Sequence, residues 1–133
     1  MYIVSGAKGQ LGSDVCRELK KRGIQHIGID VDTLDITDEK AVENFFEENN
    51  VSCFIHCAAY TAVDKAESEK DLCMAVNYKG TENIAKMCRE TDTEMLYVST
   101  DYVFGGIGDT PFEVNDEKSP LNVYGKSKFQ GEK

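Results

Sequence analysis

Met1-Tyr2-Ile3-Val4-Ser5-Gly6-Ala7-Lys8-Gly9-Gln10-Leu11-Gly12 opens the chain, and its reading decides the fold. A short apolar run is followed by three glycines spaced G-x-x-G-x-x-G, then by apolar residues Leu11, Val15 and Leu19 recurring every four. That pattern predicts a buried strand, a tight turn and an amphipathic helix in direct succession. Each glycine has a physical reason to be there. Gly6 permits a sharp turn, Gly9 lets backbone approach a pyrophosphate, and Gly12 allows the helix to pack close on the strand. Unpaired N–H groups at the helix start, at the positive end of its dipole, then face an anion. The stretch reads as a phosphate cradle for a dinucleotide.

Working outward, Lys20-Lys21-Arg22 place positive charge at the end of the first helix and Gly23 stops it. A second strand is expected from Ile24 to Asp30. Asp30 stands 18 residues after Gly12, near the spacing at which such folds set an acid on the adenine-side ribose hydroxyls. Asp32 competes for that role, and an ordinary turn is the alternative for either. An acid there repels the extra phosphate of NADPH and no arginine follows, so NADH is the expected partner, with Lys8 the residue able to reverse the preference. Thr37 is the expected cap of a second helix, with Asp38 and Glu39 in its first turn and Val42, Phe45 and Phe46 facing inward.

Val51 to Cys57 is almost continuously apolar, as a parallel strand covered on both faces requires, and His56 within it reads as a satisfied core histidine. The small residues Ala58-Ala59-Tyr60-Thr61 follow, where a cofactor can lie against backbone. A long helix is expected from Lys70 to Arg89, with Leu72, Val76, Ile84 and Met87 at core spacing. Asn77 in its middle is either bonded to a neighbouring backbone or facing solvent. Met95 to Thr100 is the fourth strand. Strand and helix alternate four times, which predicts an α/β fold: the N-terminal part of a doubly wound parallel (Rossmann) sheet, strand order 3-2-1-4.

The 133 residues make one domain or part of one. A net charge of −9 argues against nucleic acid or an anionic membrane as partner, because both need a basic face. Five cysteines, with no C-x-x-C pair, read as thiols of a reducing compartment and not as a structural metal site. No apolar run approaches membrane-spanning length, and Met1 leads straight into a core strand, so a cytoplasmic location is expected.

Between Gly105 and Asn122 turn formers and acids dominate; an irregular run of 18 residues is expected to be an active-site loop. Helical character resumes at Val123. Tyr124 and Lys128 then lie one turn apart, and a cation that close would favour the phenolate and fit the tyrosine for proton transfer.

Four stretches together resemble the extended short-chain dehydrogenase/reductase family, in its dTDP-4-dehydrorhamnose reductase branch. They are Gly6 to Gly12, Ala58 to Glu67, Ser99-Thr100-Asp101-Tyr102-Val103-Phe104, and Pro120 to Lys128. The resemblance implies reduction of the C4 keto group of a dTDP-linked sugar by NADH or NADPH. It implies a triad in which Tyr124 donates a proton, Lys128 tunes that phenol and holds the nicotinamide ribose, and Thr100 orients the carbonyl. Cofactor contacts would come from Gly6, Gly9, Gln10, Leu11, Gly12, Asp30, Asp35, Ile36, Ala58, Ala59, Tyr60, Thr61, Tyr124 and Lys128, with Asp101 beside the sugar.

Related dehydratases carry Asp-Glu after the threonine. Asp101-Tyr102 lacks that Glu, so reduction is favoured over elimination. A non-catalytic cofactor-binding subunit, like the regulatory subunit of methionine adenosyltransferase, and a reductase or epimerase acting on another nucleotide sugar are the alternatives. Six strands are usual for the fold and four are counted. The chain is therefore read as residues 1–133 of a dinucleotide-binding domain, truncated before the remaining strands and the substrate domain and largely inactive alone. The resemblance also allows for Mg2+, with ligands outside this chain. The free edge of the fourth strand invites association, in the simplest case a homodimer.

Overall fold

Four short parallel strands, β1 (Tyr2–Ser5), β2 (His26–Ile29), β3 (Cys53–His56) and β4 (Glu94–Tyr97), form one sheet in the computed structural model, which describes residues 1–133. The fold class is the expected one, but the order is β2-β1-β3-β4, which corrects the expected 3-2-1-4. The third strand lies against β1 and not outside β2. Residues 30–38 explain the difference. They form turns, with the Asp30 carbonyl accepting from the amides of Thr33 and Leu34, so no strand fills the place beyond β2. β3, whose Phe54 is fully buried, takes the inner position, pairing Ile3 with Phe54 and Ser5 with His56.

This order makes the chain reverse direction. It leaves β1 one way to reach β2, then returns past β1 to β3 and on to β4. Because crossovers are right-handed, the first helix falls on one face of the sheet and the later ones on the other. Helix α1 (Gln10–Lys21) lies on the face carrying Val4 and Gly28, where its Cys16 reaches the space above Gly28. The opposite face carries Ile3, Ile29 and Phe54. These pack with Val42 and Phe46 of α2 (Glu39–Glu48) and with Ile84 and Met87 of a later helix into one apolar core. Phe46 stacks on Phe54 with ring centroids 5.8 Å apart.

Asp38, not Thr37, caps α2. The Asp38 carboxylate accepts from the Ala41 amide at 3.1 Å, whereas the Thr37 hydroxyl is spent on Asp35 at 2.7 Å. After the short α3 (Val63–Ala66), the expected long helix is a continuous run in three parts. They are α4 (Lys70–Met74), a π-helical turn (Ala75–Gly80) and α5 (Thr81–Glu90). The wider turn shifts the register of the apolar stripe, so Leu72 is half exposed rather than in the core, while Ile84 is fully buried. His56 is the satisfied core residue its surroundings suggested. Its ring lies 2.7 Å from the Ser5 hydroxyl and 3.1 Å from that of Thr81, and burial lowers its pKa to about 4, keeping it neutral. A 3-10 turn (Asp101–Val103) and α6 (Val123–Glu132) complete the chain. β4 is an edge strand, as expected. No helix is long and apolar enough to cross a membrane.

Candidate functional site

A reversal of strand order leaves a crevice between the carboxyl ends of the two strands at which the chain divides, here β1 and β3. A cleft of about 790 Å³ opens at that place. The glycine turn forms its floor. Gly6 has φ +66°, and a Cβ added there would meet the Ala58 nitrogen at 2.8 Å, so β1 and the segment after β3 touch through bare backbone. A Cβ on Gly12 would lie 2.1 Å from the Gly6 carbonyl oxygen, which shows how tightly α1 is drawn onto the turn.

Helix α1 begins with no side-chain cap and no acid in its first turn. The amides of Gln10, Leu11 and Gly12 find no acceptor within the chain, although all three residues line the cleft. Three orphan donors at a positive helix end form an anion site made of backbone. Leu11 is thereby half exposed, facing the cleft and not the core.

Of the cofactor residues expected from the sequence, Gly6, Gly9, Gln10, Leu11, Gly12, Asp30, Asp35, Ile36, Ala58, Ala59, Thr61, Tyr124 and Lys128 all line this cleft. Tyr60 does not. Its hydroxyl donates to Glu69 at 2.6 Å, which pushes its pKa up to about 12 and turns the ring away. Asp35 spends one carboxylate oxygen on the amide and hydroxyl of Thr37, and the Ile36 carbonyl is held by Asn83 at 2.9 Å, so this wall is braced from behind.

Thr100 and Asp101 lie outside the lining residues. The Thr100 hydroxyl donates to Asp101 at 3.2 Å and accepts from the Tyr102 amide, capping the 3-10 turn, yet it also reaches Tyr124, whose acidity it favours. Burial outweighs that and holds the Tyr124 phenol above its ordinary value. The expected help from Lys128 is not seen. Lys128 as a residue is 3% exposed; its ammonium donates to the Val98 carbonyl at 2.7 Å and sits 4.2 Å from the Tyr97 ring centre, so its charge is directed at the end of β4. Burial without a carboxylate partner lowers its pKa to about 8. One of its three N–H donors is used within the chain, leaving two for a ligand in the cleft.

Sequence reasoning left Asn77 undecided, and the structure makes it the brace of the site. Its side-chain oxygen accepts from the Tyr60 amide at 2.7 Å, and its nitrogen donates to the Tyr60 carbonyl at 3.0 Å and the Ser127 hydroxyl at 2.9 Å. Ser127 in turn donates to the Tyr124 carbonyl at 2.7 Å. One amide thus ties the segment after β3 to the helix bearing Tyr124 and Lys128. The sequence signal was a poor helix former in mid-helix; what it could not give was the π-helical turn that aims the side chain sideways. The 105–122 loop departs from expectation: none of its residues lines the cleft, and its Phe112 stacks on Phe104 at 4.6 Å. No group of three or more His, Cys, Asp or Glu side chains able to hold a metal ion is present.

A family model, the RmlD substrate binding domain, matches residues 1–133. The chain belongs to that family. Among its relatives, the dTDP-4-dehydrorhamnose reductase of Mycolicibacterium smegmatis is 43% identical over 98% of this chain and 39% of its own length. A crystal structure of the Clostridium acetobutylicum dTDP-4-dehydrorhamnose reductase superposes with a TM-score of 0.96 at 41% identity, covering 98% of this chain and 47% of that one. The Bacillus anthracis enzyme of the same name, solved in complex with NADP, gives 0.95 at 38% identity over 98% of this chain and 47% of that one. The chain thus spans less than half the length of these RmlD-family relatives. A Thermus thermophilus UDP-glucose 4-epimerase, 24% identical with a TM-score of 0.91, shares the fold.

Proposed function

We propose that the chain is the dinucleotide-binding part of an NAD(P)H-dependent reductase acting on the C4 keto group of dTDP-4-dehydrorhamnose, with the remaining strands and the sugar-nucleotide site encoded beyond residue 133. The observation that carries the reading is the pairing of two features in one cleft. One is the three unpaired helix-start amides; the other is a buried ammonium with two free donors, one helical turn from a half-buried phenol. The first suits a pyrophosphate and the second a ribose next to a reacting carbonyl.

When bound, the reduced nicotinamide supplies the hydride. Gln10, Leu11 and Gly12 hold the pyrophosphate, Asp30 accepts from the adenine-side ribose hydroxyls, and Asp35 and Ile36 wall the adenine. Ala58, Ala59 and Thr61 keep water from the middle of the cleft. Lys128 donates to the second ribose and fixes its distance from α6. Tyr124, kept protonated by burial, is the acid that delivers a proton to the oxygen where negative charge develops. Thr100 orients that oxygen from the 3-10 turn, with Asp101 beside the sugar. NADH is the preferred reductant, because an acid at the end of β2 repels the extra phosphate of NADPH. Residues 1–133 hold no group of three or more His, Cys, Asp or Glu side chains placed to bind Mg2+. In residues 1–133 alone the backbone edge of β4 is unpaired, and copies of that segment would associate through it.

The test is NADH absorbance on adding dTDP-4-dehydrorhamnose to the polypeptide completed to its relatives' length, beside residues 1–133 alone. Sugar-dependent loss of NADH is expected from the complete form and little or none from the shorter one. Binding of NADH without turnover in the complete form would instead favour a regulatory cofactor-binding subunit.

A further inference from the structure

Lys8 sits in the glycine turn and offers two nitrogens to two different carboxylates. Its backbone amide donates to Asp30 Oδ2 at 2.9 Å, and its ammonium donates to Asp32 Oδ2. The other oxygen of Asp30 accepts from the Val31 amide at 2.9 Å, and the Ala7 amide donates to the Ile29 carbonyl at 3.0 Å. The glycine turn and the end of β2 are therefore clasped as one unit, and the position of Lys8 is set by backbone bonds independent of its ammonium.

Lys8 and Lys128 are the only cations lining the cleft; Lys8 is bonded at the end of β2 and Lys128 just after β4, the two opposite edges of the sheet. Asp30 lines the cleft as well, whereas Asp32 stands outside. The end next to β2 is where a dinucleotide places its adenosine ribose, the group on which NADH and NADPH differ by one 2′-phosphate. A phosphate there needs a cation with charge to spare. The only cation within the turn is already neutralised by Asp32; their mutual hydrogen bond holds Lys8 above and Asp32 below their ordinary pKa values.

Resting on the nicotinamide-nucleotide reading above, the geometry points to Asp32 as a specificity-determining residue that favours NADH over NADPH by occupying the Lys8 ammonium. Asp30 repels the 2′-phosphate directly, and Asp32 withholds the group that would compensate. The two side chains are 68% and 55% exposed, so the pair is weak, screened by salt and separable. It sets a graded bias, and a single substitution releases it.

The test is calorimetric titration of the chain with NADH and with NADPH, for the native form, Asp32→Asn, Lys8→Met and the double variant. Both positions are exposed, so folding is not at stake. Asp32→Asn is expected to raise affinity for NADPH relative to NADH about tenfold, the size of one new charge-assisted hydrogen bond. The gain should disappear when Lys8 is also replaced. A gain of the same size with and without Lys8 would overturn the proposal, because Asp32 would then act by simple repulsion. An unchanged ratio in Asp32→Asn would overturn it too while leaving nicotinamide binding intact, and absence of heat with either nucleotide in every form would overturn both readings.

Discussion

Replacing Tyr124 by phenylalanine is expected to cut keto-sugar reduction by the complete polypeptide about 10²–10⁴-fold, the range a positioned proton donor contributes, while NADH affinity stays near native. The structure says why the two effects should separate. The ring packs edge-on against Tyr102 with centroids 5.6 Å apart, and its backbone carbonyl accepts from Ser127, so phenylalanine keeps both the packing and the helix. Only the hydroxyl is lost, and with it the proton. Burial raises the phenol's pKa, so in the native protein it stays protonated throughout the neutral range and acts as an acid. The alkaline limit falls instead to Lys128, whose pKa is lowered to about 8. Above that pH its ammonium becomes neutral and holds a ribose less well, so kcat/KM should decline as pH rises through about 8. Cofactor binding opposes this by favouring the charged form, which moves the decline upward when NADH is saturating. Steady-state rates and a pH profile of native and Tyr124→Phe forms check both points. Equal rates would remove Tyr124 from the acid role.

Gly12→Ala is expected to weaken nucleotide binding more than a hundredfold and to lower stability by roughly 3 kcal/mol, at the severe end of small-to-large changes in a packed site. The methyl group would be placed 2.1 Å from the Gly6 carbonyl oxygen and 2.7 Å from its carbon. Those are backbone atoms of a turn already fixed by the Ala7–Ile29 and Gly9–Gly6 hydrogen bonds, so no side chain can swing aside. Either α1 lifts off β1 or the turn opens, and both scatter the free amides of Gln10, Leu11 and Gly12. Ser13→Ala, one residue on, is the control: its hydroxyl makes a single exposed bond to the Gln10 carbonyl, and it should melt and bind close to native. Thermal melting by circular dichroism with nucleotide titration separates the two variants. Native affinity in Gly12→Ala would mean that the turn does not bear the ligand.

Much of the site was legible in the sequence because it is local. The glycine spacing and the Tyr124 to Lys128 interval each lie within one strand–turn–helix unit or one helical turn, and short-range geometry fixes them. What the sequence did not show depends on residues far apart in the chain. The order of strands turned on β3 pairing with β1 instead of lying outside β2, which no periodicity announces. Lys128 was expected to face Tyr124, but the choice of the Val98 carbonyl as its partner is made by the segment just after β4, 30 residues away in sequence. Asn77 is aimed at Tyr60 and Ser127 by a π-helical turn, and a sequence read at 3.6 residues per turn cannot display one. Asp38 displaced Thr37 as the helix cap because Asp35 had already taken the threonine hydroxyl.

The central claim is that the crevice between β1 and β3 holds a nicotinamide dinucleotide, with its pyrophosphate on the start of α1 and its reactive ring beside Tyr124. Backbone amide resonances of the 133-residue chain, followed during titration with NADH, test it most directly. The largest shifts are expected at Gln10, Leu11 and Gly12, with a second group at Tyr124 and Lys128. Spectra unchanged at high NADH, or shifts confined to residues outside the cleft, would contradict it.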